Sequence, residues 1–422
     1  MRDVLPDEVE LRDLATQTIL GVYRSYGFRR IETPALENLR LLLSGEGGEN
    51  EKLIFKVLKR GEELEAARAS GGRDLADLGL RFDLTVPLAR YYAENHARLP
   101  EPLKAIQIGP VWRAERPQKG RYRQFTQCDI DVLGVKSPLV EIELILATCE
   151  ALSRLQLSDL TVRVNDRRIL SAIARHCGFG ADEEGSLFIA FDKLDKIGPG
   201  GVVAELREAG LAAPAIAKFD ASLPALQKRE LALDALGDEA REAAASLDTI
   251  IRTANAHMPA GARVLLDPTL VRGMGYYTGT IFEITSPAFP SSIAGGGRYD
   301  RMVGKLLGRD VPACGFSIGF ERLIAILTER REAGAPPAAE VRGTERRIAL
   351  LVDEAAMTDL GPVIAGARAL RAAGDLVSVE LKRKNFGKQL DDLQTHGFWG
   401  YAVADGSDRP TVKPLTGRRE RK

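Results

Sequence analysis

An antiparallel hairpin is the strongest pattern of apolar and polar positions in this chain. Its first strand, residues 105–112, is apolar, and its second strand, residues 124–133, alternates apolar with polar side chains. Successive side chains of a strand point to opposite faces. The even positions of the second strand suit a core, and they are Thr126, Cys128, Ile130 and Val132. The odd positions suit a pocket wall better than bulk solvent, and they are Phe125, Gln127, Asp129 and Asp131.

A second segment repeats this alternation directly before a helix. Residues 80–95 read LRFDLTVPLARYYAEN, and positions 82, 84 and 86 would form an apolar face. Pro87 is expected to end the strand and open a helix that runs to about residue 95. Taken alone, the polar residues at the strand end could simply cap that helix. The polar face carries Arg81, Asp83 and Thr85.

Other periodic segments fill the first part of the chain. Helical spacing predicts helices over residues 7–26 and 138–155, and strands are expected over residues 28–33 and 160–164. The polar segment 61–77 is expected to be a loop. Residues 167–257 are rich in Ala, Leu, Lys and Glu with helical periodicity, which predicts a helical insertion.

Three glycine-containing segments follow. In LVRGMGYYTGTIFEIT, Arg272 and the pair Tyr276 and Tyr277 flank two glycines before a strand. In AGGGRYDRMVG, residues 295–297 predict a loop whose backbone turns tightly or approaches a ligand. In ACGFSIGFERLIAIL, a strand over residues 313–318 leads into a helix with Arg322 near its start. This arginine opposes the helix dipole, so it predicts either a compensating bound anion or an exposed side chain without a role.

The last part of the chain alternates strands with helices. Strands are expected at 348–352, 376–381 and 400–404, with helices between them, which predicts a small α/β domain with a mainly parallel sheet. A Gly- and Pro-containing stretch before it is expected to be a linker. The patch Lys382, Arg383, Lys384 and Lys388 would suit a phosphate backbone, or it is a solvated face.

Composition narrows the possibilities. The chain has 422 residues, 45% hydrophobic content and a formal net charge of zero, so two or three domains are expected and no global basic field exists to attract a polyanion. The four cysteines are far apart in apolar context, which indicates reduced thiols of a cytosolic protein. No CxxC or HxxxH spacing occurs, so no structural metal site is expected. No apolar run is long enough to span a bilayer.

Polar residues from several segments are expected to converge on one place. Three arginines favour a polyphosphate ligand, because guanidinium groups pair bidentately with phosphate oxygens. The carboxylates suit a cationic or hydrogen-bonding small molecule. No Ser, Cys or His stands in a nucleophile arrangement, so the set predicts in-line displacement at phosphorus. The converging residues are Asp83, Thr85, Arg113, Gln127, Asp131, Arg272, Tyr277 and Arg322.

The chain resembles the histidyl-tRNA synthetase family along nearly its whole length. The helix and strand that end at Pro34 resemble the first motif of the class with an antiparallel catalytic sheet. RAERPQKGRYRQF in the hairpin is similar to the second motif, and GFSIGFERL is similar to the third. LVRGMGYYTGTIFE and AGGGRYD resemble the two segments specific to the histidine enzymes, and RFDLT resembles their amino-acid loop. So many ordered matches are far more specific than a single glycine motif.

The resemblance implies the activity and the roles of residues. L-histidine and ATP, with Mg²⁺, would give histidyl-adenylate and pyrophosphate, and the histidyl group would then move to tRNA(His). Arg272, Arg113 and Gln127 would be catalytic. Histidine would be bound by Asp83, Leu84, Thr85, Arg113, Gln127, Asp131, Arg272, Tyr276 and Tyr277. ATP would be bound by Arg113, Arg121, Phe125 and Arg322. The acceptor end of the tRNA would contact Arg116 and Gln118.

The resemblance also implies the architecture. An α+β catalytic domain with a mixed, mainly antiparallel class II synthetase sheet would span residues 1–330, with the helical insertion at about 167–257. A linker at 331–346 would precede an α/β domain of the anticodon-binding type at 347–422. The family forms cytoplasmic homodimers through the first motif. This chain departs from the family at Gly275, where an acidic residue is usual, and it lacks the customary final helix.

A paralogue of this family offers the alternative interpretation. It is the non-catalytic, histidine-sensing regulatory subunit of ATP phosphoribosyltransferase, which keeps the fold and much of the histidine pocket. It typically loses parts of the ATP and tRNA apparatus and lacks the C-terminal domain. Because the phosphate-binding arginines and a C-terminal α/β domain are all present here, the sequence favours the synthetase.

Overall fold

A computed structural model describes most of the chain. The described residues are 1–43, 53–71, 75–116, 122–230, 233–273, 275–334, 346–353 and 359–415. Within them no helix is long and apolar enough to cross a membrane. All four cysteines are buried free thiols, as expected.

The helices and strands follow one another as mixed α and β elements. The helices are α1 (Pro6–Ser25), α2 (Leu39–Leu43), α3 (Gly61–Ala69), α4 (Thr85–Asn95), α5 (Pro138–Arg154), α6 (Arg167–Cys177), α7 (Glu184–Phe191), α8 (Leu194–Glu208), α9 (Ala213–Gln227), α10 (Asp238–His257), α11 (Gly304–Leu307), α12 (Phe320–Glu332), α13 (Gly361–Ala372) and α14 (Phe386–Thr395). The strands are β1 (Arg29–Arg30), β2 (Leu36–Asn38), β3 (Lys56–Leu58), β4 (Ala76–Leu80), β5 (Leu103–Trp112), β6 (Gln124–Leu133), β7 (Thr161–Asp166), β8 (Arg263–Leu266), β9 (Thr280–Ser286), β10 (Phe289–Arg298), β11 (Ala313–Gly319), β12 (Arg347–Val352), β13 (Leu376–Leu381), β14 (Gly400–Val403) and β15 (Lys413–Pro414).

An eight-stranded sheet organises the larger part of the molecule. Its strand order is β1-β5-β6-β11-β10-β9-β7-β8. The pairs β1–β5 and β7–β8 are parallel, and the other neighbours are antiparallel. The expected fold class, a mixed and mainly antiparallel sheet with helices, is therefore confirmed. The predicted hairpin is β5 and β6, paired from Leu103 and Leu133 to Trp112 and Gln124.

One face of this sheet is covered by long helices. Helix α5 begins with Pro138 in its first turn, and Ser137 accepts a hydrogen bond from the Leu139 amide, as is usual at a helix N-terminus. Helices α1 and α5 pack together and share one apolar core with the even positions of β6. Thus Cys128, Ile130 and Val132 are buried as expected, and the opposite face of the sheet is left for a cavity.

Helices α6 to α10 form the insertion expected after β7. Asp166 caps the N-terminus of helix α6, where its carboxylate accepts from the Arg168 amide. Gly178, in the left-handed conformation, caps its C-terminus. Three phenylalanines, Phe179, Phe191 and Phe219, meet edge to face at the centre of the insertion. Their cluster is continuous with the core of the large sheet. The insertion is therefore packed onto the large sheet rather than attached by loops alone.

Four local predictions were wrong. The segment expected to be a loop at 61–77 contains α3, whose acidic first turn and Arg68 in the last turn complement the helix dipole. The strand expected over 80–86 ends at Leu80, because Asp83 instead accepts from the Val86 amide at the start of α4. The strand expected over 28–33 is only two residues long. The glycines expected in a loop at 295–297 lie inside β10.

The C-terminal sheet has the order β13-β12-β14-β15. Strands β13, β12 and β14 are parallel and β15 is antiparallel, so the mainly parallel sheet is confirmed. Arg371 of α13 bonds to Glu143 of α5 and to the Ser25 carbonyl of α1, which joins this sheet to the helices of the large one. The exact division at 330 and 346 stays a prediction, since residues 335–345 lie outside the described part.

Candidate functional site

A row of polar side chains crosses the large sheet on the face away from α1 and α5. Directly paired residues on neighbouring strands share a face. The strand registers place in one row Gln107, Asp129, Ser317, Gly295, Glu283 and Arg163. The next row along β6 contains Asp131, Gly315 and Gly297. The odd positions of β6 therefore form the floor of a pocket, as their alternation predicts.

The cavity above this floor has a volume of about 270 Å³. It collects most of the predicted site residues, which come from the end of β5, from β6, from the start of α4, from the segment before β9 and from α12. Those that line it are Asp83, Thr85, Arg113, Phe125, Gln127, Asp131, Arg272, Tyr276, Tyr277 and Arg322. Leu84 does not line it: its side chain is buried in the core and its carbonyl accepts from Gln107. Arg116 is exposed at the hairpin tip, and Gln118 and Arg121 lie outside the described residues.

Three carboxylates are buried in this cavity without a full set of partners. Asp83, Asp129 and Asp131 are each 2–3% exposed. Asp83 Oδ2, Asp129 Oδ1 and Asp131 Oδ2 have no hydrogen-bond partner within the described part of the chain. Buried polar atoms are normally satisfied, so acceptors left open in a cavity indicate a ligand that donates hydrogen bonds.

Burial shifts the protonation of these carboxylates. It raises the pKa of Asp131 to about 7, although the hydrogen bond from Tyr299 acts against it. Burial and the neighbouring Asp131 charge hold the pKa of Asp129 well above its usual value. The pKa of Asp83 is also raised by burial, an effect that the Val86 amide and Arg113 limit. A cationic ligand group would reverse these shifts by stabilising the ionised forms.

Gln127 presents its acceptor to the same space. Its Nε2 donates to the Ser317 hydroxyl at 3.3 Å, and the hydroxyl in turn bonds to Asp129. Its Oε1 is buried with no partner among the described residues. The side chain is thereby oriented with its carbonyl open toward the cavity.

Tyrosines close the other end of the cavity. The rings of Tyr276 and Tyr277 lie 4.8 Å apart between centroids, and Tyr276 hydrogen-bonds with Thr85. Tyr299 donates to Asp131 Oδ1 at 2.6 Å. Asp131 is therefore held by one hydroxyl and surrounded by aromatic rings, which suits a flat ligand group with a polar N–H.

Two arginines supply positive charge. Arg113 Nε donates to the Phe82 carbonyl at 3.0 Å, and its guanidinium lies 5.1 Å from the centre of the Phe125 ring. Arg272 Nη1 bonds to Glu283 Oε2 at 2.7 Å. Burial alone lowers the pKa of Arg272, but Tyr277, Glu283 and Asp192 together hold it above its usual value. Both guanidinium groups therefore line the same cavity as the open carboxylates.

Arg322 lies at the opposite end of the cavity from the tyrosines. It is in the first turn of α12, as predicted, and its Nη1 donates to the Ser292 carbonyl and lies 3.4 Å from the Ser292 hydroxyl. On the same turn, Glu321 is bound by both terminal nitrogens of Arg12 at 2.8 Å. Helix α1 therefore braces the end of the pocket where Arg322 stands.

The glycines of the floor make room for charged side chains. A Cβ on Gly315 would lie 1.9 Å from Asp131 Oδ1, and a Cβ on Gly295 would lie 2.7 Å from Arg272 Nη2. Any side chain at either position would displace a functional group. These glycines lie in extended strands, so close approach rather than a turn explains them.

Four residues that support the site were not predicted from the sequence: Tyr299, Glu283, Ser317 and Glu321. Their partners are 11 to 309 positions away in the chain. The only available signal was their place on the polar face of a predicted strand or beside a motif residue. The described residues contain no group of three His, Cys, Asp or Glu that could hold a metal ion.

The arrangement can bind one particular combination of groups. Open carboxylate and amide oxygens match an ammonium group and a ring N–H, and the arginines match carboxylate or phosphate oxygens. The described residues that line the cavity include no Cys or His, so its two serines, Ser292 and Ser317, have no imidazole in the lining to activate them as nucleophiles. The chemistry that fits is therefore a reaction between two bound substrates, which the protein positions and stabilises electrostatically.

Comparisons with known proteins point to one family. A family model described as "Histidyl-tRNA synthetase" matches residues 1–323. A protein of Leifsonia xyli named "Histidine--tRNA ligase" is 47% identical, with 99% of this chain and 97% of that protein covered. A "Probable histidine--tRNA ligase" of Tropheryma whipplei is 40% identical, with 98% of each covered. The crystal structure of histidyl-tRNA synthetase from Nostoc sp. PCC 7120 is 28% identical, with a TM-score of 0.63 and coverage of 96% of this chain and 90% of that one.

Proposed function

Since the chain belongs to the histidyl-tRNA synthetase family as an aminoacyl-tRNA ligase, we propose that its cavity joins L-histidine to ATP and then to tRNA(His). In the first step a carboxylate oxygen of histidine attacks the α-phosphorus of ATP. A new O–P bond forms, the bond to the β-phosphate oxygen breaks, and pyrophosphate leaves. In the second step a hydroxyl oxygen at the 3′ end of the tRNA attacks the carbonyl carbon of the adenylate. An ester bond forms, the bond between that carbon and the phosphate oxygen breaks, and AMP and the hydroxyl proton are released.

One observation carries this proposal: four buried acceptor atoms stand open in a cavity that is also lined by three arginines, Arg113, Arg272 and Arg322. Histidine offers an ammonium group with three N–H donors and a ring N–H, and its carboxylate and the α-phosphate of ATP offer anionic oxygens. Each open group thus has a counterpart in the two substrates. The four acceptors are Asp83 Oδ2, Gln127 Oε1, Asp129 Oδ1 and Asp131 Oδ2.

The amino acid is assigned to the inner end of the cavity. Asp83, Thr85 and Gln127 hold the ammonium group, for which the open oxygens of Asp83 and Gln127 are the support. Asp131, with Tyr276 and Tyr277, receives the imidazole. An aromatic wall plus one carboxylate fits a planar ring with an N–H better than it fits an aliphatic side chain.

The nucleotide is assigned to the outer end. Arg113 and Arg272 flank the α-phosphate, where negative charge develops during displacement. Phe125 stacks on adenine, and Arg322 and Arg121 bind the outer phosphates. Mg²⁺ would enter with ATP, because the described residues offer no three-ligand site and phosphate oxygens commonly supply much of the coordination of this ion.

Partners beyond the substrates follow from the same family membership. Arg116 and Gln118, which lie between β5 and β6 in the sequence, contact the acceptor end of the tRNA, and the α/β domain at 347–422 binds its anticodon region. The chain forms a homodimer through its first motif, the part of the sequence in which Val4, Leu5, Val9 and Leu36 are exposed apolar residues. It works in the cytoplasm, in keeping with four buried free cysteines.

The regulatory-subunit alternative is not favoured. A solved structure titled as an ATP phosphoribosyltransferase regulatory subunit/histidyl-tRNA synthetase from Bacillus halodurans is similar with a TM-score of 0.64, but at 20% identity it shows the fold alone. The relative at 47% identity over 99% of the chain is named as a ligase.

Histidine-dependent exchange of pyrophosphate into ATP, without tRNA, tests the proposed function. Exchange with histidine and with no other amino acid is the expected result, followed by histidylation of tRNA(His). Histidine binding without any exchange would contradict the proposal and restore the regulatory alternative.

A further inference from the structure

Glu283 forms an ion pair with Arg272, the arginine at the centre of the cavity. Its Oε2 accepts from Arg272 Nη1 at 2.7 Å. Both side chains are only partly exposed, at 25% for Arg272 and 17% for Glu283. Glu283 itself does not line the cavity, so it touches the arginine from behind and not the bound substrates.

The remaining atoms of Arg272 are arranged around this pair. Its Nη2 lies directly over Gly295, where a Cβ would come within 2.7 Å. Its Nε is buried and has no partner in the described part of the protein. One corner of the guanidinium is therefore fixed by a carboxylate, while a donor remains open for an anion. A guanidinium presents its donors in a rigid plane, so fixing one corner sets the direction of the others.

Glu283 is in turn held from the side opposite the cavity. Arg163 on β7 is its direct cross-strand neighbour, and Arg163 Nη1 lies 3.6 Å from Glu283 Oε1. Arg163 Nε donates to Asp267 at 2.6 Å, and its Nη1 donates to Asp195 of the insertion at 3.1 Å. Charges thus alternate in sign from Arg272 through Glu283 and Arg163 to Asp267 and Asp195.

We propose that Glu283 is the positioning residue of Arg272: it sets the direction in which the guanidinium meets the α-phosphate during adenylate formation. This inference rests on the proposed function of the cavity. Glu283 acts only through Arg272, so its contribution belongs to the chemical step rather than to histidine binding. A loss of alignment of about 1 Å at a reacting group costs about 100-fold in rate.

A double-mutant cycle in pyrophosphate exchange tests the proposal. Glu283→Gln keeps the size of the side chain but removes the charge, and we expect kcat to fall about 10- to 100-fold with the KM for histidine within about twofold of wild type. In an Arg272→Ala background the same substitution should have no further effect. An unchanged kcat in Glu283→Gln, or an equal loss in both backgrounds, would overturn the proposal, since the second result describes a general structural role.

Two variants guard the interpretation. Glu283→Asp keeps a negative charge between the two arginines but withdraws it by one methylene, so it should fold even if the glutamine variant does not, and it should also lower kcat. Full activity in Glu283→Asp would contradict the proposal. Asp195→Asn removes the carboxylate of the insertion that pairs with Arg163. This carboxylate is 71% exposed, so the substitution should leave exchange unchanged.

The wild-type enzyme separates this proposal from the function on which it rests. If the wild type shows no histidine-dependent exchange, the proposed function fails. If the wild type exchanges and Glu283→Gln does so equally, only the positioning role fails. Calorimetric binding of histidine to each variant shows that the cavity is folded.

Discussion

The hairpin of β5 and β6 has buried charges on both faces, and the two faces differ in one respect. On the face covered by α1 and α5, Lys104 donates to Glu143 at 2.7 Å, and Glu143 also accepts from Arg371 at 2.7 Å. We call these three residues the outer cluster. On the cavity face Asp129 and Asp131 each keep an oxygen without a partner in the described structure. Lys104 and Glu143 on one face, and Asp129 and Asp131 on the other, are each at most 4% exposed.

The difference separates structure from function. A buried charge is tolerated when an opposite charge meets it, and the outer cluster meets that condition within the chain. The cavity face does not, so it is costly to the empty protein and becomes favourable only when a ligand supplies donors. Burial of charge therefore does not by itself mark a site, whereas burial without a partner does.

Removing the central acid of the outer cluster should have the largest effect on stability. Glu143→Gln leaves Lys104 and Arg371 without their shared partner, and breaking a buried pair in this way costs about 3–5 kcal/mol. Denaturant unfolding measures the loss. Glu94→Gln is the matched control, because its pair with Arg90 is 61% exposed on the glutamate side and should matter by less than about 0.5 kcal/mol. Equal stability in the two variants would contradict the contrast between the clusters.

Removing the central cation of the cavity should have the largest effect on activity. Arg272→Ala should lower exchange about 100- to 1000-fold, the scale of losing one group that stabilises charge in the transition state. Histidine binding, measured by calorimetry, should change little. Arg175→Ala removes an exposed arginine of the insertion and should leave exchange intact. Wild-type activity in Arg272→Ala would refute the assigned role.

Removing a carboxylate from the cavity should raise the stability of the ligand-free protein, whereas removing Glu143 should lower it. Asp131→Asn takes away an unpaired buried charge, so the ligand-free protein should become more stable while histidine affinity falls. Because the folded pKa of Asp131, about 7, lies above the value of about 3.9 for an unfolded aspartate, the wild type loses stability as pH rises from about 4 to about 7. The advantage of the variant should therefore grow across this window and then level off. Denaturant unfolding of both proteins at several pH values measures this difference in the free energy of unfolding. A difference that does not change with pH would contradict the raised pKa of Asp131.

Removing the hydroxyl that supports Asp131 should have the smallest effect. Tyr299→Phe deletes one hydrogen bond of 2.6 Å to that carboxylate, which is worth about 1–2 kcal/mol. Histidine affinity should fall about 5- to 30-fold. Tyr401→Phe, on the C-terminal sheet, serves as the control. An unchanged affinity in Tyr299→Phe would mean that Asp131 does not depend on this tyrosine.

The floor of the cavity was predictable because it depends only on local alternation. The odd residues of β6 could be assigned to a pocket from the sequence, and the structure lines the cavity with them. Glu283 and Tyr299 could not, because their roles follow from the register of β9 with β10 and from the path of the chain after β10. Residues 295–297 illustrate the same limit: their glycines suggested a loop whose backbone turns tightly or approaches a ligand, but they lie inside a strand, where they allow neighbouring groups to approach closely.

Calorimetric binding of histidine and of its analogue without the amino group, 3-(imidazol-4-yl)propionate, tests the central claim most directly. The open oxygens of Asp83 and Gln127 are assigned to the ammonium group, so the analogue would leave both unsatisfied. A site built to hydrogen-bond a substrate group rejects a ligand that lacks it by about 10⁴-fold. We predict tight, measurable binding of histidine and at least 100-fold weaker binding of the analogue. Equal affinity for the two would contradict the claim that the open acceptors select the amino acid.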